Sequence, residues 1–111
     1  MAKLLKIRRG DDYPCFDESY KIRLVDKGTT ELTSNDLTGC TATLRIQDLF
    51  VEFPSEEVET KELVLQLTAE QTRQLRPTIK PLVTYLQIQT PTGKVKTKIT
   101  DIQVIVEDEV I

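Results

Sequence analysis

Thr41-Ala42-Thr43-Leu44-Arg45-Ile46-Gln47 alternates without interruption between apolar and polar residues. In an extended chain successive side chains point to opposite faces, so Ala42, Leu44 and Ile46 share one face and the threonines, Arg45 and Gln47 the other. The stretch predicts a strand with one face buried. The same period recurs on both sides of it. Tyr20, Ile22 and Leu24 alternate with Lys21 and Arg23 until Asp26-Lys27-Gly28 ends the run. Leu63, Leu65 and Leu67 alternate with Val64 and Gln66, and Thr84, Leu86 and Ile88 alternate with Tyr85, Gln87 and Gln89. Pro91-Thr92-Gly93-Lys94 places a glycine in a short connection, which supplies the positive φ of a tight turn and predicts a hairpin from Val83–Thr90 into Val95–Thr100. Ile102-Gln103-Val104-Ile105-Val106 reads as a last strand and Leu4–Arg8 as a shorter first one.

One segment departs from this period. Thr68-Ala69-Glu70-Gln71 begins with a threonine and places a glutamine three residues later, the pattern of a capping box, so Thr68–Leu75 predicts a short helical turn that Pro77 cannot continue. Several short strands separated by turns, with a single helical turn, predict an all-β fold: an antiparallel β-sandwich of about seven strands. The 111 residues suit a single domain, expected over 1–111.

Composition narrows the chemistry. Apolar residues make up 39% of the chain, enough for a folded core. Lys and Arg number 15 against 18 Asp and Glu, with the signs interspersed, so no concentrated basic surface is expected and nucleic acid is not an expected partner. Histidine is absent, which removes Ser-His-Asp and Cys-His nucleophile pairs and histidine-bearing metal sites. Cys15 and Cys40 are too few for a four-thiolate zinc site. No catalytic arrangement is recognisable, and the chain is expected not to be an enzyme and to need no metal, cofactor or small-molecule substrate. The basic start Met1–Arg9 is not followed by an apolar region of about 7–15 residues, and no stretch approaches the roughly 18–20 apolar residues that span a bilayer. The expectation is a chain made in a reducing cytoplasm, with both thiols unpaired and no membrane partner.

Two stretches together resemble a known family. Arg9-Gly10-Asp11-Asp12 before a strand, then Asp36-Leu37-Thr38-Gly39-Cys40-Thr41 leading into Thr43-Leu44-Arg45-Ile46-Gln47-Asp48, are similar to the opening of immunoglobulin-like phage virion domains, as in the amino-terminal domain of phage baseplate upper proteins. Leu67-Thr68-Ala69-Glu70-Gln71-Thr72 through Leu75, a proline, Tyr85-Leu86-Gln87-Ile88, Gly93-Lys94-Val95 and a final valine-rich strand look like the second half of the same domains. The resemblance runs from about Ile7 to Val106. The chain departs from it where such domains carry Pro-Gly-x-Tyr, having Pro77–Val83 instead, and in the long acidic segment Leu49–Glu59. The resemblance implies an immunoglobulin-like sandwich in a phage or prophage virion, of the tail or baseplate. The chain would be made in the host bacterium's cytoplasm and act through contacts with other virion proteins or copies of itself. With no trimerising segment after the last strand, a stand-alone sandwich is expected.

Several features could carry contacts. Leu49-Phe50-Val51-Glu52-Phe53-Pro54 holds two of the three phenylalanines ahead of the acidic Ser55–Glu59. If Phe50, Val51 and Phe53 face solvent they form an apolar patch with an acidic rim, suited to a protein contact; the alternative is that they cap the end of the sandwich. Arg9-Gly10-Asp11 matches a receptor-read tripeptide, against the plainer reading of a turn glycine. Asp11, Asp12, Asp17 and Glu18 form an acidic loop without the ligand alternation of a calcium loop. Cys40 reads as packing, and Lys94, Lys96 and Lys98 read as protection of a sheet edge. A second function class, recognition of a host-surface glycan or protein by loops around Asp11–Glu18 and Leu49–Glu59, rests on how sandwiches present loops. The absence of tryptophan and the three tyrosines, Tyr13, Tyr20 and Tyr85, give little for stacking sugars.

Overall fold

The computed structural model describes residues 3–14, 20–26 and 28–109, with 3 and 98–101 described in their backbone. In chain order the elements are β1 (Lys3–Arg8), β2 (Tyr20–Arg23), β3 (Thr41–Ile46), β4 (Leu49–Phe53), α1 (Ser55–Glu59), β5 (Glu62–Leu65), α2 (Ala69–Arg73), β6 (Leu82–Gln89) and β7 (Val95–Glu107). Five strands form a mixed, curled sheet in the order β1-β7-β6-β3-β4, and β2 pairs antiparallel with β5 in a second, two-stranded sheet. The fold is all-β, as the alternating runs predict.

Ala42, Leu44 and Ile46 of β3 are buried, and so are Ile22, Leu24, Leu63, Leu65, Leu86, Ile102, Val104 and Val106. These residues, contributed by both sheets, make one hydrophobic core. Phe53 pairs with Ala42 on the inner side, so the largest inward side chain of β4 lies opposite the smallest of β3.

The strands are not all antiparallel. β1 runs parallel to β7, with Leu5 beside Val104 and Ile7 beside Val106. This register places the buried residues of both strands on the same face, and a shift by one residue would expose them. The final strand is also longer than the sequence suggests. The two runs Val95–Thr100 and Ile102–Val106 form one strand of 13 residues. The irregularity is absorbed between Tyr85↔Ile99 and Val83↔Gln103, where two steps along β6 match four along β7. An even excess keeps each residue on its own face, so Thr84, Ile102 and Val104 remain buried.

The described residues hold two helical segments where one was expected. α2 forms as predicted: Thr68 Oγ1 accepts from the Gln71 amide, and the Gln71 side chain accepts from the Thr68 amide. α1 is the addition. Its first turn carries Glu56 and Glu57, which suit the exposed amides of a helix start, and buried Val58 anchors it to the core. The Glu57 carboxylate accepts from the Val64 amide, fastening the helix to β5. One buried residue in five gives no helical period to read.

Thr72 joins the turn after β1 to α2. Its buried hydroxyl accepts from the Gly10 amide at 3.0 Å and lies 3.0 Å from the Asp11 carbonyl and 2.9 Å from that of Ala69. Gly10 holds φ at 86°, the left-handed turn that a glycine permits. Arg9-Gly10-Asp11 is thus a strand-ending turn.

Urea titration separates the core from the cap. Leu44→Ala is expected to lose about 2–5 kcal/mol of unfolding free energy through transfer and cavity terms, whereas Thr68→Ala is expected to lose about 1 kcal/mol.

Candidate protein-contact surface

Strand parity divides the aromatic segment. β4 alternates buried and exposed along Leu49–Phe53, so Val51, 6% exposed, and Phe53, 4% exposed, belong to the core. They are not part of a solvent-facing patch, which corrects the expectation for both. Phe50 is 59% exposed and points outward. The strand forms because a two-residue connection, Gln47-Asp48, turns β3 back onto β4 with Ile46 opposite Leu49. Gln47 adopts φ 54°, a strained value for a residue with a Cβ. Its side-chain amide donates to the Arg76 carbonyl at 2.8 Å and accepts from the Arg76 amide at 2.7 Å, which holds the turn in place.

Phe50 is one end of a row that crosses three strands. Arg45 pairs with Phe50 on one side and with Tyr85 on the other. The Arg45 guanidinium lies 5.7 Å from the centroid of the Phe50 ring, within cation–π range. It is oriented by a hydrogen bond from Nε to the Gln47 carbonyl at 2.9 Å and by Asp48 at 3.8 Å. Tyr85 is 41% exposed, and Thr43, Gln87 and Thr97 complete a shallow cleft of about 290 Å³ with Arg45, Phe50 and Tyr85. Val83 is exposed on the same side of β6. Aromatic and arginine side chains held on a rigid sheet suit the centre of a protein interface, since they bury large area with little loss of rotamer freedom. Tyr85 went unread because it joins the row only through the β3–β6 pairing, 40 positions from Arg45 and 35 from Phe50, whereas Arg45 meets Phe50 across the local β3–β4 hairpin. The outward parity of their strands was the only local signal.

The remaining features fall elsewhere. Arg9 pairs with Asp108 at 2.9 Å and donates to the Arg73 carbonyl at 3.1 Å, so its guanidinium is engaged within the fold. Asp12 accepts from the Ala69 amide at 2.6 Å. Cys15, Asp17 and Glu18 lie outside the described residues. Cys40 is buried against the core. Among the described residues no three cysteine, aspartate or glutamate side chains gather where they could hold a metal ion, and no helix is long and apolar enough to cross a membrane.

A second cleft, of about 400 Å³, opens between the end of β2 with its following loop and the outer end of the β6–β7 hairpin. Leu24, Leu37, Cys40 and Ile88 supply apolar walls, and Asp26, Asp36, Lys94 and Lys96 supply charge. Hydrogen bonds from the Thr33 side chain and then the Ser34 amide hold the Asp26 carboxyl below its usual range. The Thr38 hydroxyl, at 2.6 Å, and amide, at 3.0 Å, do the same for Asp36. A scan against protein-family models matched none, and a search of curated proteins returned no match.

A depressed carboxyl pKa contributes stability above the unfolded value of 3.8, and that contribution is lost as pH falls through the folded value. Asp36→Asn is therefore expected to be less stable than the native chain at neutral pH, with the difference in urea midpoint closing in acid. An equal difference at both pH values would contradict the assignment.

Proposed function

We propose that the chain is an immunoglobulin-like sandwich and a structural component of a phage or prophage virion, of the tail or baseplate, acting through protein–protein contact. The observation that carries the reading is the outward row Phe50–Arg45–Tyr85, an aromatic–arginine cluster on a rigid sheet with no described element over it. The similarity of Arg9–Asp48 and Leu67–Val106 to immunoglobulin-like virion domains supports the setting. A five-stranded and a two-stranded sheet sharing one core are compatible with it, although the parallel β1–β7 pair is an addition to the antiparallel pattern.

In this role the sheet acts as a platform. Its inner face is committed to the core, so the outer face is available to another subunit without loss of packing. Burial of Phe50 and Tyr85 would supply apolar contact, and Arg45, already oriented over the ring, would meet a carboxylate or carbonyl of the partner with little further ordering.

Light scattering over a concentration series, with affinity capture from phage-producing cells, tests the reading. The native chain is expected to self-associate or retain a tail or baseplate protein, and a Phe50→Ser, Tyr85→Ser variant to lose at least about tenfold in affinity, as hot-spot truncations do. A native chain that stays monomeric and retains no virion protein would overturn the proposal, and binding to whole cells instead would favour host-surface recognition.

A further inference from the structure

The β6–β7 hairpin offers a second contact of a different kind. β1 begins opposite Ile102, so Val95–Ile99 of β7 pairs with β6 on one side and with no described strand on the other. The Thr90 amide donates to the Lys94 carbonyl at 2.8 Å, which makes Thr90 and Lys94 a hydrogen-bonded pair. The antiparallel alternation then assigns Ile88–Lys96 and Leu86–Lys98 as bonded pairs as well. The amides and carbonyls of Val95, Thr97 and Ile99 therefore face away from β6, toward the open edge.

This edge borders the second cleft. Val95 and Lys96 line it together with Lys94, and Leu24, Leu37 and Ile88 form its apolar walls. Lys94 and Lys96 are exposed, and among the described residues neither enters an ion pair; the Asp26 and Asp36 carboxylates that also line the cleft stay ionised and accept from the Ser34 amide and the Thr38 hydroxyl. The edge therefore combines open backbone donors and acceptors, an apolar recess for alternate side chains, and two lysines carried on the strand itself, with the aspartates on the loop side of the cleft.

We propose that Val95–Ile99 accepts an extended, acidic segment of a partner protein as an added strand, placed in line with β1. Backbone pairing would fix the segment, its apolar residues would enter the recess, and its carboxylates would meet Lys94 and Lys96. A second copy is the weaker occupant, because two such edges in antiparallel pairing bring the lysines of one against those of the other. The inference rests on the reading of the chain as a protein-binding module but uses a separate surface from Phe50 and Tyr85.

The probe is a synthetic peptide of about seven residues alternating valine and glutamate, a typical strand length, with a valine–lysine peptide as its counterpart. Titration calorimetry with the intact protein is expected to show the acidic peptide binding at least about tenfold more tightly than the basic one. Lys94→Glu, Lys96→Glu is expected to reverse that preference. Thr97→Pro removes an amide that faces the open edge, a position where a strand tolerates proline, and is expected to weaken the acidic peptide at least about tenfold. Amide exchange on the native complex should slow at Val95, Thr97 and Ile99, which keeps the proposal testable if the proline variant misfolds. No binding, equal binding of the two peptides, or unchanged exchange at those amides would overturn it. The Phe50→Ser, Tyr85→Ser variant is expected to bind the peptide as the native chain does, so failure here and failure of the outer-face contact are separable.

Discussion

The parallel pairing of β1 with the second half of β7 is the constraint on which the rest of the molecule depends. It joins the first and last described strands, brings Leu5 and Ile7 onto Val104 and Val106, and completes the buried face of the larger sheet. It also sets the boundary between the two halves of β7. From Ile102 onward the strand is interior to the sheet; before that point β6 is its neighbour among the described strands.

Polar contacts secure that junction rather than create it. Arg8 pairs with Glu107, Arg9 with Asp108 and Arg73 with Glu109, and all three lie near the surface. Pairs this exposed are screened by water and add little to stability. Thr72 is different because its hydroxyl is buried and serves the Gly10 amide as well as the turn of α2. It couples the end of β1 to a helix whose start is fixed by Thr68 and Gln71. The capping box, a local feature, thereby acts at long range by holding Thr72 where the first strand ends.

The local half of this architecture could be read in the sequence. The alternation of Thr41–Gln47 gave β3 and its buried face, and the threonine–glutamine spacing gave α2 with its cap. What could not be read was set by contacts between distant segments. No local period distinguishes a parallel from an antiparallel partner for Leu4–Arg8, because the alternation is the same in both. Thr100-Asp101 looks like an interruption, yet β7 continues through it because β6 absorbs the mismatch across the strands. In the aromatic segment strand parity sends Val51 and Phe53 inward and leaves Phe50 outward, where the β3–β4 hairpin sets Arg45 beside it and the β3–β6 pairing adds Tyr85.

The two outward surfaces differ in the physics they can use. On the sheet's outer face the backbone is already paired, so a partner there gains side-chain contact alone, and the aromatic row sets both affinity and position. At the β7 edge the backbone itself is available, and hydrogen bonds that any extended chain can make supply attachment while charge supplies selection. Lys94 and Lys96 serve two purposes at that edge. They oppose pairing between like copies, which an open strand would otherwise invite, and they favour an acidic strand over a neutral one. A strand edge that accepts a foreign strand must do so without pairing with its own copies, and a charged open edge beside an apolar recess meets both conditions with the same two residues.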